Sequence, residues 1–166
     1  MKNLEEKQTR MKLGKKWTIY WMDYMADSYV YGSKVEFVDR NEVQFENILM
    51  PPGSEIKTWF SKTNYQMQRV EPSLPIIDGE GEYIITKDIE TKTGEQLFLK
   101  IVFYDKYDVE VGQLIVREDE KVFRCPMATY SYKIKLINGG ATKFVFHSIG
   151  IQEVLDGAES NNKKTK

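Results

Sequence analysis

The sequence predicts an all-β fold, a two-sheet jelly-roll-like sandwich, on three observations. About ten short runs of aromatic and β-branched residues alternate with turn-forming clusters. Several runs alternate strictly, as at Leu97, Leu99, Ile101 and Phe103, which puts every second side chain on one face. No stretch reads as a core helix, and no repeat of 20–50 residues breaks the chain into units, so two packed sheets are the simplest way to bury the apolar faces.

The elements follow in order. Residues 1–16 are polar and rich in helix formers and read as a flexible or frayed-helical segment. Trp17 to Tyr24 is the first strand, and "MADSYVYGSK" a loop. Val35–Val38 and Glu42–Phe45 form a hairpin around "DRN". "MPPGS" stops strand pairing, because proline lacks the amide a ladder needs. Ile56 to Tyr65 reads as a long strand and "VEPSLPIIDGEGE" as a long loop. Tyr83–Ile89, Leu97–Tyr104, Val109–Arg117, Lys121–Arg124 and Thr129–Ile137 are strands between short turns. On the last of these Tyr130, Tyr132, Ile134 and Leu136 share a face. "NGG" is a hairpin signal, and Lys143–Val154 closes a domain spanning 17–155. Residues 156–166 are a polar tail with too little apolar surface to fold.

With 166 residues the chain is the size of one domain and can bury a core without staples. A net charge of -1 offers no excess cation to neutralise phosphates, which disfavours nucleic acid as a partner. Cys125 is the single cysteine, so no internal disulfide forms, as suits a reducing compartment. No apolar run is long enough to span a membrane, and the charged N-terminus has no signal-peptide core. A cytoplasmic protein is the expectation.

Catalytic chemistry finds little support. His147 is the only histidine; its neighbour Ser148 points to the opposite face of a strand, so the two make no dyad. Cys125 precedes a proline with no helix N-terminus nearby to activate a thiolate. One His and one Cys lack zinc-site spacing, and no nucleotide-binding motif occurs, so neither a metal nor a cofactor is expected. The acidic clusters at 78–82, 105–110 and 118–120 offer calcium ligands or a carboxylate pair on one reading, and solvated turns on the other; turn chemistry favours the second.

The informative stretch is "LMPPGSEIKTWFSKTNYQMQ". On a regular strand Trp59, Ser61, Thr63 and Tyr65 share one face, and Ile56, Thr58, Phe60 and Asn64 the other. Only one face can enter the core, so a large aromatic is left for a partner or a pyranose ring. A bulge after "PPG" that turns both rings inward is the alternative. Trp59, Phe60, Asn64, Tyr65 and Gln66 are therefore the binding candidates, for protein or glycan.

Together "YGSKVEF", "VQFENILMPPGSEIKTWFSKTNYQ", "GEGEYIITKDI", "LKIVFYDKYDVEVG" and "YSYKIKLINGGATKFVFHSIGI" resemble the smallest, third accessory secretion protein of the accessory Sec system of Gram-positive bacteria. The likeness covers about residues 17–155, with its weight on the order and spacing of the pieces. The resemblance implies a sandwich similar to a carbohydrate-binding module and no catalytic residues. It implies two larger accessory partners, one glycosyltransferase-like and one hydrolase-like, in a cytoplasmic complex. That complex serves export of serine-rich repeat glycoprotein adhesins and engages the preprotein and the accessory translocase ATPase.

Overall fold

The computed structural model describes residues 12–22, 32–62, 73–92 and 95–155, which form ten strands in two antiparallel sheets. The strands are β1 (Leu13–Ile19), β2 (Lys34–Asp39), β3 (Glu42–Glu46), β4 (Glu55–Phe60) and β5 (Glu82–Thr91). They continue with β6 (Leu97–Tyr104), β7 (Glu110–Val116), β8 (Glu120–Arg124), β9 (Ser131–Asn138) and β10 (Lys143–Val154).

The first sheet has the order β2-β3-β10-β5-β8. Strand β10 is long enough to seat two partners along one edge: β3 pairs with Lys143 to Phe146, and β1 pairs with Ile149 to Val154. Strand β5 runs along its other edge. The second sheet has the order β4-β9-β6-β7. Most connections cross from one sheet to the other, so each sheet presents its apolar face to its neighbour. We call the end where β5, β7 and β9 begin the upper end; the β3–β4, β5–β6 and β9–β10 connections lie at the lower end.

The two-sheet prediction holds, and the limits of β6 and β10 fall where alternation put them. Other boundaries move. Strand β1 begins at Leu13, so residues 13–16 belong to the sheet and not to a loose N-terminal segment. Pairing with β10 satisfies that backbone, whatever the polarity of the side chains. Strand β4 stops at Phe60, five residues short of the expected end. Strand β9 starts at Ser131, leaving Tyr130 outside the alternation and 62% exposed, while Tyr132, Ile134 and Leu136 do point inward.

Aromatic rings hold the sheets together. The Trp59 ring from β4 stacks on Phe146 from β10, with centroids 5.3 Å apart. The Trp21 ring meets Trp59, Phe146 and Phe37 edge-on and lies tilted against Phe45. Phe45 in turn stacks on Phe144. Such pairs add to the area they bury. The Trp59 Nε1–H donates to the Tyr20 carbonyl at 3.1 Å, so the one polar atom of the ring is satisfied inside the core. At the lower end Lys87 faces inward; its Nζ donates to the carbonyls of Leu97 and Arg117 at 2.9 and 3.0 Å and ties the first sheet to the second. Burial pulls this ammonium below its ordinary pKa.

Trp59→Ala should lower the unfolding free energy by about 3–5 kcal/mol, the range for an emptied aromatic core site. Phe60→Ala, on the other face of the same strand, should cost about 1 kcal/mol or less. Urea titrations of both variants check the ordering; equal losses would contradict the assigned faces.

Candidate functional site

Strand β4 opens with a bulge. Glu55 pairs with Ile137 and Lys57 with Leu136, so Ile56 is the extra residue. The bulge turns both Ile56 and Lys57 inward, and the regular alternation after it buries Trp59 and leaves Thr58 and Phe60 on the outer face. Trp59 is fully buried, so of the two candidate rings it is Phe60 that points outward. Lys57 is buried beside the indole, its ammonium 5.9 Å from the ring centroid. Asn64, Tyr65 and Gln66 lie outside the described residues.

Phe60 belongs to a cationic and aromatic row across the second sheet. The Lys133 ammonium sits 5.3 Å from the Phe60 ring and 5.1 Å from the Tyr104 ring. Beyond Phe60 the chain is pinned to β9. The Ser61 amide donates to the Tyr132 carbonyl at 3.1 Å, and the Tyr132 amide donates to Ser61 Oγ at 2.8 Å. The chain re-enters at Ser73 against the same strand end. The Ser73 and Leu74 amides both donate to the Phe60 carbonyl, and the Phe60 amide donates to Ser73 Oγ. The Tyr132 hydroxyl donates to the Pro75 carbonyl at 2.6 Å, and burial raises its pKa far above the usual phenol range. The described chain thus ends at Lys62 and resumes at Ser73 at one place, the upper end.

The candidates for chemistry are held in structural roles. His147 sits at a bulge between Phe146 and Ser148. Its Nδ1 donates to the Asn41 carbonyl at 2.6 Å, and its Nε2 lies 3.3 Å from Glu90. The imidazole bridges the β2–β3 turn to β5. The carbonyl of Asn41 and then Glu90 raise its pKa, against a smaller opposing effect of burial. Cys125 is buried, and burial pushes its thiol up, away from a reactive thiolate. No group of three or more metal-ligating side chains occurs among the described residues.

Sequence alternation did not reveal where exposed apolar groups gather. At the lower end the β3–β4 connection presents Ile48 and Leu49, 74% and 81% exposed. Two buried amides brace that connection. The Asn47 amide N–H donates to the Thr142 carbonyl at 2.8 Å, while its side chain donates to Ser33 Oγ and accepts from the Leu49 amide. Asn138 donates to the Met50 carbonyl and accepts from the amides of Gly53 and Gly140. Gly53 sits at φ 91°, where a Cβ would be strained, which explains the glycine after Pro51-Pro52. At the upper end Ile76, Tyr107, Val109, Met127 and Tyr130 are exposed on three neighbouring loops. The only signal in the sequence was an apolar residue inside a turn, which is also common in ordinary loops.

This geometry defines a β-sandwich protein with an aromatic core and loop-borne apolar surfaces at both ends. The chain belongs to the accessory Sec secretory system family of accessory secretory protein 3, whose family model matches residues 28–153. It is 38% identical over 160 residues to the accessory Sec system protein of that name from Streptococcus gordonii, covering 91% of this chain and 99% of the relative. A chain of the glycosylation associate protein complex from Streptococcus agalactiae superposes with TM-score 0.78 at 35% identity, covering 84% of this chain and 45% of that one. A chain in the crystal structure of accessory secretory proteins 1, 2 and 3 of Streptococcus pneumoniae superposes with TM-score 0.77 at 29% identity, covering 82% and 94%. This chain thus spans less than half of the S. agalactiae chain and nearly all of the S. pneumoniae one.

The raised pKa of His147 links stability to pH. Its contribution is full below the unfolded imidazole pKa of about 6.5 and is lost as pH rises through the higher folded value. The stability gap between wild type and His147→Ala should therefore be wider at pH 6 than at pH 8.5. A gap independent of pH in urea melts would contradict this role.

Proposed function

We propose that this chain is a non-enzymatic adaptor in an accessory secretion complex. It binds two larger accessory secretion proteins, one glycosyltransferase-like and one hydrolase-like, in the cytoplasm. The assembly supports export of serine-rich repeat glycoprotein adhesins; contact with the preprotein and the translocase ATPase runs through the larger partners. One observation carries the reading: the fold superposes, at 29% to 35% identity, on chains from two complexes of such proteins. The structure adds physical support, because the candidate reactive groups His147 and Cys125 are held in structural roles. Apolar groups stand out on loops at opposite ends, where a bridging protein needs them.

A second reading, a module that recognises glycans on the exported glycoprotein, draws on the outer row of Phe60, Lys133 and Tyr104. Rings on an exposed sheet face can stack on pyranoses, although the burial of Trp59 removes the largest ring from that surface.

Co-expression with the two larger proteins and gel filtration should give one peak containing all three chains. Independent elution under mild salt would overturn the adaptor reading. Calorimetric titration with N-acetylhexosamine glycans separates the second reading, which needs measurable heat at millimolar ligand.

A further inference from the structure

Three unusual features of the described chain meet at the upper end. Of the twelve exposed large apolar side chains of the described residues, Ile76, Tyr107, Val109, Met127 and Tyr130 lie there on loops, Ile76 and Met127 at 82% and 75%, and Leu13 and Leu155 lie at the same end on β1 and just after β10. Two of the three acidic runs, 78–82 and 105–110, flank them. The only non-glycine residues in left-handed backbone among the described residues, Glu80 at φ 65° and Asp108 at φ 62°, sit one in each run. Such conformations persist only where surrounding contacts impose them.

Contacts bind these loops into one unit. The Glu80 amide donates to the Cys125 carbonyl at 2.8 Å, and the Cys125 amide donates to the Gly81 carbonyl at 2.8 Å. Gly79 lies against the Met127 carbonyl so closely that no Cβ would fit. Pro126 covers Gly112 at the start of β7. The Tyr130 amide donates to the Tyr104 carbonyl at 2.8 Å. Lys62 reaches Asp108 at 3.6 Å and the Tyr130 ring at 5.4 Å. Asp105 caps its own turn through the Tyr107 and Val109 amides. The exposed apolar groups therefore stand on fixed backbone, and a partner would not have to order them.

Beside them opens a concavity of about 470 Å³. Asp78, Glu80, Glu82 and Glu153 line it, with Arg124 as the one cation among the described residues of its lining. Its sign repels phosphate-bearing surfaces, whether lipid or nucleic acid, and favours a cationic side chain. Apolar groups beside an acidic hollow call for a partner that is apolar at the centre and basic at its edge.

We propose that the upper end is a docking surface for a partner protein. An apolar patch would cover Ile76, Tyr107, Met127 and Tyr130, and a Lys or Arg from its rim would enter the acid-lined concavity. The inference rests on the adaptor reading and assigns one surface to it.

The test measures binding of the full chain to each of the two larger proteins by interferometry at low and high salt, with thermal melts of every variant. The double variant Tyr107→Ser/Met127→Ser should keep the wild-type melting temperature and weaken binding to one partner by about tenfold or more. Glu80→Lys should weaken the same interaction at low salt and flatten its salt dependence, while Glu36→Lys on β2 changes neither. Wild type that joins no complex overturns the adaptor reading itself. Wild-type binding with both upper-end variants unaffected overturns the docking surface alone. Loss on deleting residues 156–166, with the double variant unaffected, moves the contact to the polar tail and also overturns it. A wild-type dimer that the double variant converts to monomer, with partner binding unchanged, assigns the surface to a second copy and likewise overturns docking of a partner protein there.

Discussion

The stack of Trp59 on Phe146 is the contact on which the rest of the structure depends. It joins an edge strand of one sheet to the central strand of the other. Trp21 closes over both rings, and the Tyr20 carbonyl takes the indole N–H, so the segment after β1 is drawn onto the core by the same residue. Once Trp59 is inside, strand geometry leaves no choice for its neighbours: Thr58 and Phe60 must face out. The largest ring of the aromatic stretch is thus a packing element, and Phe60 is the one offered to the surface.

A sandwich built around such a core has little freedom in its sheets and most of its variety in its ends. The two ends are stiffened by different means. At the lower end Asn47 and Asn138, both buried, stand in for missing strand partners and hold a turn that no ladder supports. At the upper end the loops are joined through backbone hydrogen bonds and through glycines placed where side chains would collide. Exposed apolar side chains on stiff backbone bear little ordering cost when they bind.

Much of the fold was legible in the residues. Runs of alternating apolar residues located all ten strands, and the limits of β6 and β10 fall where those runs begin and end, although β10 carries a bulge at His147 that shifts its buried face from Phe144 and Phe146 to Ile149 and Ile151. Alternation erred where pairing, not side-chain pattern, decides. Leu13 to Lys16 form a strand because β10 is long enough to pair with them. Tyr130 falls off the β9 alternation because the ladder with β6 begins only at Ser131, opposite Tyr104. The sequence left open whether Trp59 or Phe60 faces out, and the register that follows one bulge decides it. The exposed residues at the two ends, from Ile48 to Met127, were not foreseen, since nothing local distinguishes a turn residue that will be covered from one that will not.

The sequence by itself determined the all-β class, the succession of strands along the chain, the absence of an internal disulfide and the family. All of these rest on local pattern, composition or the linear order of motifs. Only the tertiary structure decided which ring of the Trp59-Phe60 pair is buried, that Lys57 turns inward, and that the acidic runs at 78–82 and 105–110 share one end. The physical reason is that each depends on a bulge or on a contact between residues distant in the chain. The one-residue bulge at Ile56 sets which residues of β4 face the core, and its place is fixed by pairing with β9, a strand about eighty residues away in the chain.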